Sequence, residues 1–259
     1  MAAGPEGGGG CRGSGPGTEG ESPLRQAEAE DAGAPPRQGR RRVVLAWSGG
    51  KDAAIALAAL RRRAGLEVAG LLTTVNRDAD RVSMHGVRRE LLAAQAAALG
   101  LSLVEVPIPA RCTNEEYERR MAAALARLRS AGVVAVAFGD LCLEDVRAYR
   151  ERQMARAAMD ALFPLWGRDT AASARAAIAA GVRAVLVCVD GRRLGPEWLG
   201  RPYDQRLLAE LPAGVDPCGE NGEFHTFVYD GPGFRAPVRF RPGERVLRDG
   251  FWYLDLVPA

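Results

Sequence analysis

Lysine is almost absent from this chain. Of the 35 lysine and arginine residues only Lys51 is a lysine, and the chain has only two histidines, His85 and His225. A lysine carries a compact point charge, whereas the planar guanidinium of arginine forms bidentate contacts with phosphate. Either an arginine-favouring codon bias left one surface lysine, or the position of Lys51 requires an ammonium group.

Other features are missing, and each absence excludes a class of protein. No apolar run approaches the roughly 20 residues that span a bilayer, and the N-terminus lacks the apolar segment of a signal peptide. The five cysteines contain no CxxC pair, which argues against a zinc site or a disulfide framework and predicts a reducing, cytoplasmic location. The net charge of +3 gives no support for nucleic-acid binding.

Composition divides the chain into an N-terminal tail and a patterned remainder. Residues 1–41 are rich in glycine, proline, glutamate and arginine, with Leu24 as their one large aliphatic side chain. We expect this tail to be disordered because it buries too little apolar surface to offset its ordering entropy. Two domains are expected after it, a first domain at residues 42–165 and a smaller α+β domain at residues 166–259.

The first domain alternates short apolar strands with helices of 10–15 residues, which predicts an α/β fold with a parallel sheet and right-handed crossovers. Its most apolar strand, Val133–Phe138, is expected to be buried on both faces, and a long helix is expected at about Glu144–Ala161. In the second domain, β-like runs at Phe224–Tyr229, Val238–Phe240 and Phe251–Leu256 predict a small antiparallel sheet. In a parallel sheet such as that of the first domain, ligands bind at the carboxyl ends of the strands. The loops that follow these strands are therefore expected to form the ligand-binding edge.

The loop from Ser48 to Asp52 follows the first strand and opens the first helix. It has neither the Walker A spacing nor the GxGxxG spacing, but strand, glycine-rich turn and helix present backbone N–H groups to an anion. Ser48 can donate its hydroxyl and Lys51 can neutralise phosphate charge. Asp52 either holds Mg²⁺ or is a favourable charge at the helix N-terminus.

A second group of candidates lies in the turn-rich segment from Cys218 to Thr226. Glu223 and His225 would project from one face of a strand and could bind ammonium or act as general acid and base; alternatively, His225 satisfies a hydrogen bond beneath the sheet. Cys218 is either a nucleophile or a structural thiol. Asp140, which follows a buried strand, is either a metal or ribose ligand or a helix N-cap.

Several motifs carry a resemblance to known proteins. The sequence at Ser48–Asp52 resembles the PP-loop ATP pyrophosphatases, and five further motifs resemble the diphthine–ammonia ligase (diphthamide synthase) family. Those motifs are Met84–Arg88, Phe138–Asp140, Glu144–Arg150, Pro164–Trp166 and Cys218–Thr226. The resemblance implies a HUP-type nucleotide-binding domain followed by a smaller α+β domain. It also implies an ATP-dependent amidation in which a carboxylate attacks the α-phosphate, pyrophosphate leaves, and ammonia displaces AMP.

The residues and the resemblance together assign roles to named positions. Predicted ATP-binding residues are Ser48, Gly49, Gly50, Lys51, Asp52, His85, Gly139 and Asp140, with Asp52 as the Mg²⁺ ligand. Predicted substrate-binding residues are Glu144, Arg147, Cys218, Gly219, Glu220, Glu223, His225 and Thr226. The predicted catalytic residues are Lys51, Asp52, Glu223 and His225.

The sequence departs from the family pattern at one position and leaves the acid substrate open. Ala53 stands where PP-loop proteins usually carry serine, so one hydroxyl donor to phosphate is missing. The family's substrate is diphthine on elongation factor 2, but an arginine- and alanine-rich chain with one lysine indicates a GC-rich genome and favours a bacterial source, where diphthine should be absent. Two alternatives therefore stay open, a regulatory nucleotide-binding protein and a PP-loop enzyme that modifies tRNA.

Overall fold

The computed structural model describes residues 39–82 and 86–259. The predicted tail at residues 1–41 therefore lies almost wholly outside the described residues, as do Met84 and His85. The described residues belong to one compact unit. Among these residues, no helix is both long enough and apolar enough to cross a membrane.

The first part of the chain forms a predominantly parallel sheet of six strands. They are β1 Arg41–Ala46, β2 Leu66–Asn76, β3 Arg81–Val82, β4 Leu103–Ile108, β5 Val133–Ala137 and β6 Asp160–Leu162. The parallel order is β4–β2–β1–β5–β6, and the short β3 pairs antiparallel with the end of β2. This arrangement confirms the predicted HUP-type sheet and puts β1, with the Ser48–Asp52 loop after it, at the centre.

Four helices connect these strands: α1 Lys51–Arg61, α2 Arg89–Leu99, α3 Asn114–Ser130 and α4 Glu144–Arg156. The predicted N-cap of α3 is confirmed, because the Thr113 hydroxyl accepts from the Glu116 N–H at 3.2 Å. Helix α2 ends at Gly100, which has a φ of +65°. Left-handed backbone of this kind is open to glycine at little cost.

The second part forms the predicted antiparallel sheet. Helix α5 Thr170–Ala179 precedes β7 Arg183–Asp190; helix α6 Gln205–Glu210 precedes β8 Phe224–Asp230, β9 Phe240–Arg248 and β10 Phe251–Pro258. The strand order is β8–β7–β10–β9, and every pairing is antiparallel. Strand β7, buried at seven of its eight positions, lies in the interior of the sheet.

Two predictions about the first part of the chain can be compared with the structure, and one of them was wrong. The helix expected to reach Ala161 ends at Arg156, because Ala158 adopts a left-handed φ of +51° and the following residues form β6 beside β5. The prediction that Val133–Phe138 is buried on both faces is confirmed except at Val134, which is 41% exposed.

One hydrophobic cluster extends between the two sheets. It includes Leu45 of β1, Leu57 of α1 and Leu92 of α2, and it continues to Leu186 of β7 and Phe227 of β8. A second cluster covers the other face of the parallel sheet beneath α3. The first cluster places β8 directly behind the Ser48–Asp52 loop. Separate domains divided near residue 165 stay a prediction.

Candidate active site

A cavity of about 830 Å³ opens at the carboxyl ends of β1, β2 and β5. The 218–226 segment forms its other wall, so residues distant in sequence share one space. The predicted residues that line this cavity are Ser48, Lys51, Asp52, Gly139, Asp140, Cys218, Gly219, Glu220, His225 and Thr226. Gly49, Gly50, Glu144, Arg147 and Glu223 are not among the lining residues.

The loop after β1 is held from behind by β8 and α2. Gly49 has a φ of +81°, and a Cβ atom there would lie 3.0 Å from the Gln95 side-chain oxygen. The Gly49 carbonyl accepts from the Val228 N–H at 2.9 Å and from the Gln95 side-chain amide at 3.0 Å. These contacts explain why glycine is needed here, in addition to any approach of a phosphate.

Lys51 forms part of the cavity wall and is only 2% exposed. Its ammonium donates to the Asp52 carboxylate at 2.9 and 3.0 Å and also to the Cys218 carbonyl. The rings of Tyr203 and Phe224 lie 5.6 and 5.5 Å from Nζ. Burial has the largest single effect on the pKa of Lys51 and lowers it, but the charges of Asp52, Cys218 and Glu220 and the hydrogen bond to Asp52 together outweigh it, so the net pKa is raised. The ammonium is therefore charged at neutral pH.

The N-terminus of α1 is capped from the second sheet. Its N-cap residue Gly50 has no side chain with which to cap the helix. Instead the Lys51 N–H donates to the Thr226 hydroxyl of β8 at 3.0 Å, and the Gly50 N–H lies 3.4 Å from the Ser48 hydroxyl oxygen. Thr226 thus supplies an acceptor that the local sequence lacks.

Glu220 bridges the two walls of the cavity. Its carboxylate accepts from the Leu141 N–H at 3.3 Å. Burial, followed by the nearby Asp52 carboxylate, raises the pKa of Glu220 to about 7, against the opposing charge of Lys51. A carboxyl group with such a pKa exchanges a proton near neutral pH and is well suited to general acid–base work.

The structure separates Glu223 from His225. The Glu223 carboxylate accepts from the Asp216 N–H, the Asn221 N–H and the Asn221 side-chain amide, each at 3.0 Å. It therefore ties the 216–223 turn together. His225 lines the cavity, and burial, with a contribution from the Lys51 charge, lowers its pKa to about 4. The imidazole is thus neutral at pH 7.

Cys218 has the surroundings of a structural thiol. It is 2% exposed and its sulfur lies 3.2 Å from the Thr170 carbonyl, to which the thiol donates. Burial raises its pKa to about 12 despite the nearby ammonium of Lys51. Because the thiolate is the nucleophilic form, these surroundings favour the structural interpretation.

The Gly139–Asp140 loop lies against the start of α1. A Cβ atom at Gly139 would lie 3.0 Å from the Asp52 backbone carbon. Asp140 pairs with Arg150 at 2.7 Å, and the N-cap of α4 is Leu143 rather than Asp140. The N-cap interpretation of Asp140 was therefore wrong.

The two substrate-binding candidates on α4, Glu144 and Arg147, lie away from the cavity. Arg147 pairs with Glu151 at 2.8 Å and its guanidinium stacks 4.7 Å from the Trp166 ring. Neither Glu144 nor Arg147 lines the cavity, whereas Arg150, one turn after Val146 on the same helix, does.

The sequence matches known protein families over most of its length. A family model described as the diphthamide synthase N-terminal domain matches residues 41–160, and one described as the diphthamide synthase C-terminal domain matches residues 169–256. The chain belongs to the diphthamide synthase family.

Several curated relatives share the name diphthine–ammonia ligase. The Danio rerio protein is 33% identical over 117 residues, which is 43% of this chain and 46% of the relative. The Bos taurus protein is 28% identical over 144 residues, 54% of each chain, and the Homo sapiens protein is 28% identical over 153 residues, 57% of each. The chain thus spans about half the length of the curated relatives it matches.

In this diphthamide synthase family member, the Asp52 carboxylate fits an Mg²⁺ ion whose other ligands are phosphate oxygens and water. Among the described residues no group of three or more histidine, cysteine or acidic side chains could enclose a metal ion. The Asp52 side chain is 30% exposed and lines the cavity at the end of the Ser48–Asp52 loop. Mg²⁺ commonly takes one or two carboxylates and completes its shell with phosphate oxygens and water.

Sequence reasoning missed two residues that shape this family member's site. Tyr203 lies beside the Lys51 ammonium, and Gln95 contacts the loop from α2. The signal for Gln95 was present, since Gln95 is the polar member of the buried face Leu91, Leu92, Gln95, Ala96 and Leu99. A polar residue at a core position requires partners.

Proposed function

We propose that this protein is an ATP-dependent ligase that joins ammonia to a carboxylic acid and forms AMP and pyrophosphate. One observation carries the proposal. A single cavity joins the loop after β1, the buried ammonium of Lys51 and the 218–226 segment, with Glu220 between its walls. The family membership supports the same reaction class, and the diphthine–ammonia ligase relatives indicate a carboxylate of the diphthine type, carried on a protein.

ATP is assigned to the wall formed by the parallel sheet. The Ser48 hydroxyl, which lines the cavity and is oriented by the Gly49–Gly50 turn behind it, would meet the phosphates near the N-terminus of α1. Lys51 would offset their charge, and Asp52 would hold Mg²⁺. When bound, Mg²⁺ neutralises phosphate charge and favours departure of pyrophosphate. These positions leave the opposite wall for the acid.

The acid substrate and ammonia are assigned to the wall between Cys218 and Thr226. The substrate carboxylate attacks the α-phosphorus of ATP, and pyrophosphate leaves. Ammonia then attacks the acyl carbon, the bond to AMP breaks, and the nitrogen loses one proton. We assign that proton to Glu220, whose pKa of about 7 suits a group that accepts a proton near neutral pH.

A regulatory protein that binds ATP without turnover is the second candidate. It is favoured by Lys51, whose ammonium is bound by Asp52 and the Cys218 carbonyl, and by Ala53 in place of the usual serine. Sulfur transfer to tRNA has less support. Among the described residues Cys218 is the one cysteine that lines the cavity, and it is buried with a raised pKa, which is unsuited to persulfide chemistry.

The test is release of AMP and pyrophosphate from ATP with Mg²⁺, ammonium and a diphthine-bearing elongation factor 2, or a lysate of the source organism. We expect Lys51→Ala to abolish release and Lys51→Arg to do so as well, because a guanidinium does not fit the buried position. Arg62→Ala, an exposed change beyond the other end of α1, is the control.

Three outcomes separate the candidates. Pyrophosphate release unchanged in Lys51→Ala would remove the phosphate-binding role of the loop. Full activity of Lys51→Arg would mean that codon bias alone explains the single lysine. Tight ATP binding without turnover under any condition would favour the regulatory protein.

A further inference from the structure

Gln95 holds the phosphate-binding loop in place although it lies outside the cavity. The residue is on α2, is fully buried, and is separated from the loop by more than 40 positions. We infer that Gln95 is a positioning residue for ATP, which fixes the orientation of the Gly49–Gly50 peptide. This inference rests on the proposed use of ATP.

Both polar atoms of the Gln95 side-chain amide have hydrogen-bond partners. Its oxygen accepts from the Trp47 indole N–H at 2.8 Å. Its nitrogen donates to the Gly49 carbonyl at 3.0 Å and to the Val228 carbonyl. Because an indole N–H only donates and a carbonyl only accepts, these partners allow one orientation of the amide.

The contacts join three separate parts of the molecule. Trp47 lines the cavity at the end of β1, Gly49 is in the loop, and Val228 is in β8. The Val228 N–H also donates to Gly49, so the Gly49 carbonyl has two donors. That carbonyl is thereby fixed in the direction of α2 and β8, behind the loop.

The direction of one carbonyl determines the direction of the next N–H. In a trans peptide the C=O and N–H groups point in opposite directions. Fixing the Gly49 carbonyl therefore turns the Gly50 N–H toward Ser48, whose hydroxyl oxygen is 3.4 Å away and which lines the cavity. Without Gln95 the peptide would retain only the Val228 N–H and could rotate.

Two substitutions separate hydrogen bonding from packing. Gln95→Met keeps the approximate volume and removes the donors and the acceptor. Gln95→Glu keeps the shape and the acceptor for Trp47, but its ionised form has no donor for Gly49 or Val228, and its protonated form regains one. A role in packing alone would leave the affinity of Gln95→Met for the nucleotide unchanged, whereas ionisation of the carboxyl group in Gln95→Glu adds a buried charge in either case.

The experiment is calorimetric titration with an ATP analogue that has a methylene group between the α and β phosphates, between pH 5.5 and 8. We expect Gln95→Met to weaken affinity on the order of tenfold at every pH. Gln95→Glu should approach wild-type affinity at the acidic end and weaken as pH rises. In turnover assays the KM for ATP should rise more than kcat falls, and tryptophan emission should report the lost Trp47 contact.

Gln205→Met, at an exposed position of α6, is the matched control and should bind as the wild type does. Wild-type affinity of Gln95→Met, or a glutamate variant with no pH dependence relative to wild type, would overturn the inference while leaving the proposed function intact. Failure of the wild type to bind the analogue at any pH would instead overturn the proposed function. If Gln95→Met does not fold, Gln95→Leu, which also lacks the donors and the acceptor, takes its place in the same titration.

Discussion

Glu220 makes a prediction about stability that is independent of the substrate. Its pKa in the folded protein is about 7, above the ordinary value of 4.5. The folded state therefore holds the proton more tightly than the unfolded state, and this contribution to stability is lost as pH rises from about 4.5 to 7. Glutamine does not ionise, so Glu220→Gln does not lose stability in this way as pH rises. We therefore expect the variant to be more stable than wild type above pH 7.

Denaturant unfolding at several pH values measures this effect. The variant's advantage should grow between pH 4.5 and 7 to about 1–2 kcal/mol, after allowance for partial solvent exposure. His225, whose pKa is lowered to about 4, acts with the opposite sign, since its contribution to stability is lost as pH falls from about 6.5 to 4. The contribution of His225 is the same in the wild type and in Glu220→Gln, so it cancels from the difference in stability between them. A pH-independent difference would contradict the assignment.

The candidate site residues differ in how well they could be predicted from the sequence. Lys51 and Asp52 were identifiable because they lie in a short motif where local geometry decides their position. Glu223 was selected with His225 from their spacing in a strand, but β8 begins at Phe224 and the Glu223 carboxylate binds the preceding turn instead. The partners of Gln95 come from β1, the loop and β8, and no local pattern brings them together.

At the level of elements, β8 caps α1, and this contact can be tested. Thr226→Val keeps the shape of the side chain but leaves the Lys51 N–H without its acceptor. We expect a loss of about 1 kcal/mol in the free energy of unfolding and weaker ATP binding. Thr226→Ser retains the hydroxyl and should recover most of both. Equal loss in the serine and valine variants would show that the methyl group, rather than the cap, is important.

The elements that were missed or misjudged have weak local signals. Strand β6 has only three residues, and it follows the largely charged helix α4 without a glycine or proline at the boundary. Strand β9 reads Phe-Arg-Pro-Gly-Glu-Arg-Val-Leu-Arg, and it is mostly exposed. Its partner β10 pairs with it over most of its length. Strands β6 and β9 form because a neighbouring strand, β5 or β10, offers a backbone edge, which local propensity does not report.

At the level of the whole molecule, the two sheets meet in one hydrophobic cluster with polar contacts at its rim. The Arg235 N–H donates to the Ala98 carbonyl at the end of α2 at 2.8 Å. Asp255 of β10 pairs with Arg88 at 2.7 Å and Arg81 at 2.8 Å. These contacts lower the pKa of Asp255 to about 2, chiefly through the hydrogen bond from Arg88. The second sheet therefore supports the elements next to the Ser48–Asp52 loop.

A truncated chain of residues 39–165 tests this dependence. It keeps every predicted ATP-binding residue, yet it lacks the Val228 and Thr226 partners of the loop, and apolar side chains such as Leu57 and Leu92 lose their cover. We expect the fragment to bind the methylene ATP analogue at least tenfold more weakly than the full chain, or to aggregate. Co-expression with residues 166–259 should restore binding, since the missing contacts are non-covalent. A soluble, cooperatively folded fragment that binds the analogue as tightly as the full chain would instead mean that residues 42–165 form an independent ATP-binding domain.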